Sequence, residues 1–461
     1  MLNATSNNQY RISKEKGYLA SSGLLLIAFS SAFFPRIVES IGAPAPVNFI
    51  HFFVIPIACI YVLTVCRVSD KQHLGIVRSL VHGLYVFLGV ITASALLNQA
   101  GAVNIFLNYM IQAEPFLFLA AVVCIPFSRE RLEFFRSWII RFGIIHLLLA
   151  LIQCGGLTVG VINFTDLTLQ DNIQGVFYVS SGGHVVGATV SLIFGLFYYV
   201  SASKLLIKLR LCVLAAAFTH VLISDAKQVV MVGIVAWCLL ILSRIKDLKV
   251  TIKYITLATV SIYGFYWAIY NVEFLRPYRT WIRPEIYGPD GDATLQKWLP
   301  IESINSHFTS LWHWFFGLGP GHTVGRIGGW MIRDYSSLLT PLGATTHPVV
   351  QPIWDYWYDS YLDSSFFSPF WGWAGIWGDG GLLGLGVYLG LWGVVWYKVC
   401  EDDLSRFLVL NVLVNGFIFT LMEEPGFMLT TAAFLGLRWQ ELNLRSAPQR
   451  QVTTRLIQSA L

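Results

Sequence analysis

Apolar stretches of roughly bilayer-crossing length, about 20 residues, recur along nearly the whole 461-residue chain. They lie near 17–34, 47–66, 76–97, 112–127, 136–154, 182–201, 205–223, 226–242, 252–271, 375–397, 406–421 and 426–438. The chain is 55% hydrophobic and only 12% charged, half the charge usual for a soluble domain, so lipid must solvate part of it. The first stretch follows Arg11, Lys14 and Lys16, and no small-x-small cleavage site precedes Pro35, so it reads as a retained span. The 112–127 stretch is weak because Glu114 and Pro115 interrupt it, and 426–438 is short enough to be re-entrant. The expected fold is all-α: a polytopic integral membrane protein of about twelve transmembrane helices. It forms a single membrane domain over 1–461, with one large loop, 272–370, inserted between spans nine and ten.

Charge orients these spans. With the amino terminus inside, the cytoplasmic segments hold 22 of the 31 Lys and Arg, the outer segments hold eight, and Arg141 sits within a span. Acidic residues run the other way, nine inside and 17 outside. Every inner loop is basic, which places both termini in the cytoplasm and the 272–370 loop on the outer face. None of the seven cysteines lies in that loop, so no disulfide framework is expected. The sequence holds no basic, aromatic-interleaved soluble module for nucleic acid.

The outer loop and its exit hold ten of the sixteen tryptophans. Indole rings offer a flat apolar face with a polar rim, suited to stacking on a sugar. Trp371, Trp373 and Trp377 read as an interfacial belt, whereas mid-loop rings such as Trp312, Trp314, Trp354 and Trp357 fit sugar binding and plain loop packing equally. A cationic set accompanies them. Lys227 stands at the mouth of a hairpin between two apolar helices, where an ionisable side chain usually faces a wet cavity. Arg276, Arg279 and Arg283 share one face if their stretch is helical, and guanidinium groups suit phosphate oxygens. Solvated pairing with nearby Glu and Asp is the competing reading for these arginines.

Phe316-Gly317-Leu318-Gly319-Pro320-Gly321-His322 forms a glycine-rich turn that brings backbone amides close to a ligand or to another segment. The loop histidines His307, His313, His322 and His347 match no metal motif, and His322 and His347 are the better placed for proton transfer. Asp379, in Gly378-Asp379-Gly380-Gly381, is either a helix amino-terminal cap or a functional carboxylate at the membrane edge.

The order of these pieces resembles the bacterial O-antigen polymerase and O-antigen ligase superfamily, the Wzy-type membrane glycosyltransferases. The resemblance is carried by Gly317-Leu318-Gly319-Pro320-Gly321, Gly378-Asp379-Gly380-Gly381-Leu382-Leu383-Gly384-Leu385, and Asp171-Asn172-Ile173-Gln174-Gly175-Val176-Phe177 followed by Gly182-Gly183-His184. Ser224-Asp225-Ala226-Lys227 stands where relatives often carry Ser-Arg. One departure matters: Ser368-Pro369 occupies the place of the His-Asn pair that ligases and many polymerases carry upstream of the acidic-Gly element. That departure favours a polysaccharide polymerase branch, for O-antigen, capsule or exopolysaccharide.

The resemblance implies transfer of an undecaprenyl-pyrophosphate-linked glycan to a sugar hydroxyl on the outer face of the bacterial inner membrane. A chain-length regulator and a flippase would be partners, and no cofactor or metal is required because the lipid diphosphate is already an activated leaving group. In that scheme Lys227, Arg276, Arg279 and Arg283 bind the diphosphate, and Trp312, Trp314, Trp354 and Trp357 hold sugars. His322, His347 and Asp379 are the candidate catalytic groups. An O-antigen ligase is the nearest alternative. A flippase or transporter would place ionisable residues at midplane, where only Arg141 and His146 qualify. A sugar O-acyltransferase would need a membrane-embedded histidine, and His146 and His220 lack a supporting motif.

Overall fold

The structure is a computed structural model and describes residues 21–66, 70–162, 168–178, 182–203, 205–244, 248–273, 284–358 and 367–459, without the side chains of 248, 250, 251, 284, 287 and 446–459. Among the described residues all regular structure is helical. The long helices are α1 (Ser21–Phe33), α2 (His51–Val65), α3 (Lys71–Leu97), α4 (Ala102–Cys124), α5 (Arg129–Thr158) and α6 (Gly183–Ser201). They continue as α7 (Ile207–Ile223), α8 (Lys227–Ser243), α9 (Leu248–Asn271), α10 (Gly372–Lys398), α11 (Asp403–Asn415) and α12 (Pro425–Ser459). Each apolar segment of the sequence falls on one of them. Six are long and apolar enough to cross a membrane: α2 with its lead-in from Ala45, α3, α4, α5, α6 and α10. Exposed apolar side chains on α2 (Phe53, Ile57, Ile60), α5 (Leu148, Ile152) and α9 (Val260, Tyr263, Trp267) form outer faces that suit lipid rather than water.

Side-chain caps start several of these helices. Asp70 accepts from the Gln72 amide at 2.7 Å to open α3, and Asp402 accepts from the Ser405 amide at 3.0 Å to open α11.

Helix α4 occupies the middle, against α2, α3 and α12. The stretch that read as weak is a continuous helix of 23 residues. Glu114 does not interrupt it, because His51 of α2 meets both carboxylate oxygens at 2.9 Å. The helix also begins earlier than the apolar pattern indicates, since Asn104 finds partners in the outer loop and Asn108 finds one in Asp379 of α10. Helix α12 likewise runs well past 438 as one helix. Its polar continuation is matched by protein: Arg438 binds Asp402 at 2.5 Å and Glu441 at 3.0 Å, and Gln440 donates to the Val122 and Ile125 carbonyls at the end of α4.

The loop between α9 and α10 carries short helices Asp292–His307, Leu311–Phe316 and Gln351–Trp357. Ile304, Leu318, Val324, Val349 and Ile353 form its own small core, closed by Phe370 and Ala374 at the start of α10. The loop is thereby packed onto the helical bundle.

Candidate functional site

Two glycine elements of the sequence meet in space. In the turn, Gly317, Gly319 and Gly321 all have positive φ, at 75°, 107° and 67°. Helix α10 breaks at Gly381 (φ 63°, ψ −162°), and the turn lies against that break. The Leu318 amide donates to the Gly378 carbonyl at 2.8 Å and the Gly319 amide to the Asp379 carbonyl at 3.3 Å. The approach is backbone to backbone: a Cβ on Gly381 would lie 2.4 Å from the Phe315 carbonyl carbon, and one on Gly317 would lie 2.5 Å from that of Asp379.

Asp379 fastens this junction. It is fully buried, and it caps amides that belong to another segment, since its own helix starts at Gly372. Its Oδ2 accepts from the Gly321 amide at 2.7 Å and from Asn108 Nδ2 at 2.8 Å. Its Oδ1 accepts from the Thr323 amide at 2.9 Å and the Thr323 hydroxyl at 2.6 Å. Four donors satisfy a buried carboxylate, so its geometry is that of a tertiary clamp.

His322 is buried beside this clamp. Its Nδ1–H donates to the Leu318 carbonyl at 2.8 Å, which leaves Nε2 to accept from the Thr345 hydroxyl, also at 2.8 Å. Burial holds its pKa below the ordinary histidine value. His347 is half-buried, accepts from the Val349 amide at 3.2 Å, and lies in a row with His307 and His322, ring centres 5.3 and 5.8 Å away. Burial, with the neighbouring imidazoles, pushes its pKa down to about 4.

Next to the clamp a cavity of about 500 Å³ opens between the loop, the start of α6 and the turn that precedes α12. Arg36, Arg326 and Arg333 line it together with Trp330, Trp354, Trp357, Phe370 and Phe419. Arg333 lies 3.3 Å over the Trp354 ring and Arg326 lies 4.8 Å over Trp330. Glu424 closes one wall and is ion-paired with Arg326 through Nη1. Two buried donors in the lining, Arg326 Nε and Trp357 Nε1, have no hydrogen-bond partner among the described residues. Buried orphan donors are costly in a protein interior and suit a ligand rich in acceptor oxygens.

The sequence places Arg326 in this wall through consecutive glutamates. Its side chain holds Glu424, while its backbone amide donates to Glu423. Glu423 is buried where Gly325 and Gly375 approach so closely that a Cβ on Gly375 would lie 2.4 Å from Gly325 Cα. Burial pushes the Glu423 carboxyl up to about 8, and the nearby Asp379 charge adds to that rise. The partly buried Lys297 donates to the carbonyls of Ser368, a lining residue, and Ile418. Burial lowers its pKa to about 7.

Of the sequence candidates, the structure brings Trp354 and Trp357 into the cavity. Trp312 and Trp314 are exposed on Leu311–Phe316 and do not line it. Lys227 pairs with Asp225 at 2.9 Å, near His184 and Asp171, and is not among the lining residues. His322, His347 and Asp379 are not lining residues either. Arg276, Arg279 and Arg283 lie outside the described residues. The Asp171–Phe177 stretch is buried from Asn172 onward and runs through two 3-10 turns, Gln170–Asn172 and Gly175–Phe177. Gln153 receives the Gln174 and Gly175 amides at 2.9 and 2.7 Å, and His146 receives that of Val176 at 3.2 Å. The other His146 nitrogen meets the Gly187 carbonyl, and the two nitrogens of His220 meet Ser191 and the Ile173 carbonyl, so both act as staples of this segment.

Arg326, Arg333, Arg36 and Glu424 were not singled out by sequence reasoning. A signal existed: Arg326 and Arg333 are seven residues apart, one helical face, around Trp330, and Glu423-Glu424 is an acidic pair between apolar stretches. In comparisons with known proteins, no family model matches the chain and no curated protein matches it.

Proposed function

We propose that this chain is a membrane glycosyltransferase that polymerises undecaprenyl-pyrophosphate-linked repeat units into a surface polysaccharide, on the outer face of a bacterial inner membrane. The observation that carries this reading is the cavity in which three arginines, two orphan donors and a shelf of aromatic rings converge. Guanidinium groups match diphosphate oxygens in number and geometry, and indole faces match the C–H faces of sugars. In this reading the twelve long helices span the membrane, both termini are cytoplasmic, and the 272–370 loop is periplasmic. Charge asymmetry supports it, because 22 of the 31 Lys and Arg lie in the segments assigned inside, and Arg36, Arg326 and Arg333 are among the eight outside.

Catalysis here needs positioning and charge stabilisation rather than a metal or nucleotide. Arg36, Arg326 and Arg333 would carry the diphosphate role expected of Lys227, and Trp354 and Trp357 would hold the acceptor sugars. The glycine turn, held to α10 by Asp379, would fix the arginine-bearing segment at the membrane edge.

The test is electrophoresis of surface glycan from a strain lacking the gene, complemented with wild type, Arg326→Ala or Trp354→Ala. Collapse of the polymer ladder to single lipid-linked repeats, rescued by wild type and not by Arg326→Ala, is the expected result. Full-length polymer held on its carrier would mean a ligase, and an unchanged glycan would overturn the glycosyltransferase reading.

A further inference from the structure

We infer that Glu424 is the group that takes the proton from the acceptor hydroxyl, and that it does so when the donor diphosphate draws Arg326 away from it. This rests on the glycosyltransferase reading above. Among the described residues two carboxylates line the cavity, Glu424 and Asp334. The Asp334 side chain is 46% exposed and paired with its chain neighbour Arg333, whereas that of Glu424 is only 15% exposed and lines the same cavity as the aromatic rings. The described lining contains no histidine. Both ring nitrogens of His322 are committed, to Leu318 and Thr345; Nδ1 of His347 accepts from Val349, which leaves the proton on Nε2; and all four hydrogen bonds to Asp379 are structural.

Arg326 is built to switch partners. One edge of its guanidinium holds Glu424 through Nη1, while its buried Nε has no acceptor among the described residues. Diphosphate oxygens compete with Glu424 for this cation, and the guanidinium turns from the carboxylate towards them, its Nε gaining an acceptor. Its backbone stays fixed by the Glu423 contact and by the clamped glycine turn, so the side chain alone must turn. Glu424, released, accepts the hydroxyl proton. The acceptor oxygen forms a bond to the anomeric carbon as the bond from that carbon to the diphosphate oxygen breaks. The bonding pair leaves on the diphosphate, whose new negative charge the arginines neutralise. Coupling the base to donor binding also keeps Glu424 occupied until a donor is present, which limits proton abstraction to the productive complex.

Full-length protein in lipid nanodiscs tests this with two probes: undecaprenyl diphosphate for binding, and lipid-linked repeat units extracted from the deletion strain for transfer. Glu424→Gln is expected to bind undecaprenyl diphosphate at least as tightly as wild type. Its transfer should be slower by about 100-fold or more, the usual worth of a general base. Glu424→Ala is expected to recover part of the lost rate in added formate, which supplies an external carboxylate and would not repair a misplaced wall. Transfer by Glu424→Gln within about threefold of wild type would overturn the inference, and so would weakened binding with no formate rescue. Failure of the underlying reading looks different: Arg326→Gln and Arg333→Gln would then bind undecaprenyl diphosphate as wild type does. Each variant's thermal transition, followed by tryptophan fluorescence, identifies any that fail to fold.

Discussion

The Gly321 amide donates a 2.7 Å hydrogen bond to the Asp379 carboxylate, which joins the outer-loop turn to a helix 58 residues further along the chain. Asn108 and Thr323 complete the same carboxylate, so three segments depend on one buried side chain. Asp379→Ala would strand these donors without solvent, at about 1–3 kcal/mol for each group left unsatisfied. We expect it to lower stability by about 3–5 kcal/mol in all, a loss in the range of broken buried networks. Asp379→Asn keeps one acceptor oxygen and should lie between the two. Thermal unfolding in detergent, read by tryptophan fluorescence, measures both.

Two glycines on α10 give a matched comparison. Gly381→Ala meets positive φ and backbone atoms of Phe315 and Gly317 within 2.6 Å, none of which can yield as a flexible side chain would. It should prevent the turn from docking and cost several kcal/mol, beyond the ordinary range of about 0.5–3 kcal/mol for single substitutions. Gly390→Ala lies on the same helix with nothing within 4 Å of the added carbon. Its expected effect is neutral to slightly stabilising, up to about 1 kcal/mol from helix propensity. Comparable losses for both variants would contradict the close approach of turn and helix.

The positions of the long helices were legible because each carries an apolar run, and a run needs no tertiary information to be seen. The beginning of α4 and the extent of α12 were not, because their polar residues are matched by groups distant in the chain: Thr345 for Asn104, Asp402 for Arg438. The glycine turn and the Gly378–Gly381 element were each visible as motifs, but their mutual contact is a tertiary fact. The aromatic character of the site could be read, and Trp354 and Trp357 fall within it. Its cations could not be ranked by sequence. Lys227 stood out by lying at a hairpin mouth, while Arg326 lay inside an ordinary-looking loop and gains its place only through Glu423 and Glu424.

That difference predicts an order of effects in cells. Lys227→Ala removes one partner of a partly exposed ion pair with Asp225, worth about 1 kcal/mol or less. Arg326→Ala empties the cavity wall and leaves Glu424 without its cation. Polymer yield should therefore fall further in Arg326→Ala than in Lys227→Ala, at equal membrane levels of the two variants. The reverse order would move the diphosphate site to the α7–α8 hairpin.

Glu423 gives the fold a pH dependence of defined sign. Its carboxyl is held up to about 8 in the folded protein, against an ordinary value of 4.5. The folded state therefore binds the proton more tightly, and the stability this contributes is full below pH 4.5 and lost as pH rises through 8. His347, lowered to about 4, and Lys297, lowered to about 7, act in the opposite sense, over the windows between those values and their ordinary 6.5 and 10.5. Subtracting wild type from a Glu423→Gln variant cancels both. The amide stays neutral at all pH and keeps an oxygen for the Arg326 amide, so the variant should gain thermal stability relative to wild type steadily between pH 5 and 8. Parallel melting curves across that range would show that Glu423 exchanges no proton on folding, and the contact of its carboxyl with Gly325 and Gly375 would then be one between an ionised group and backbone.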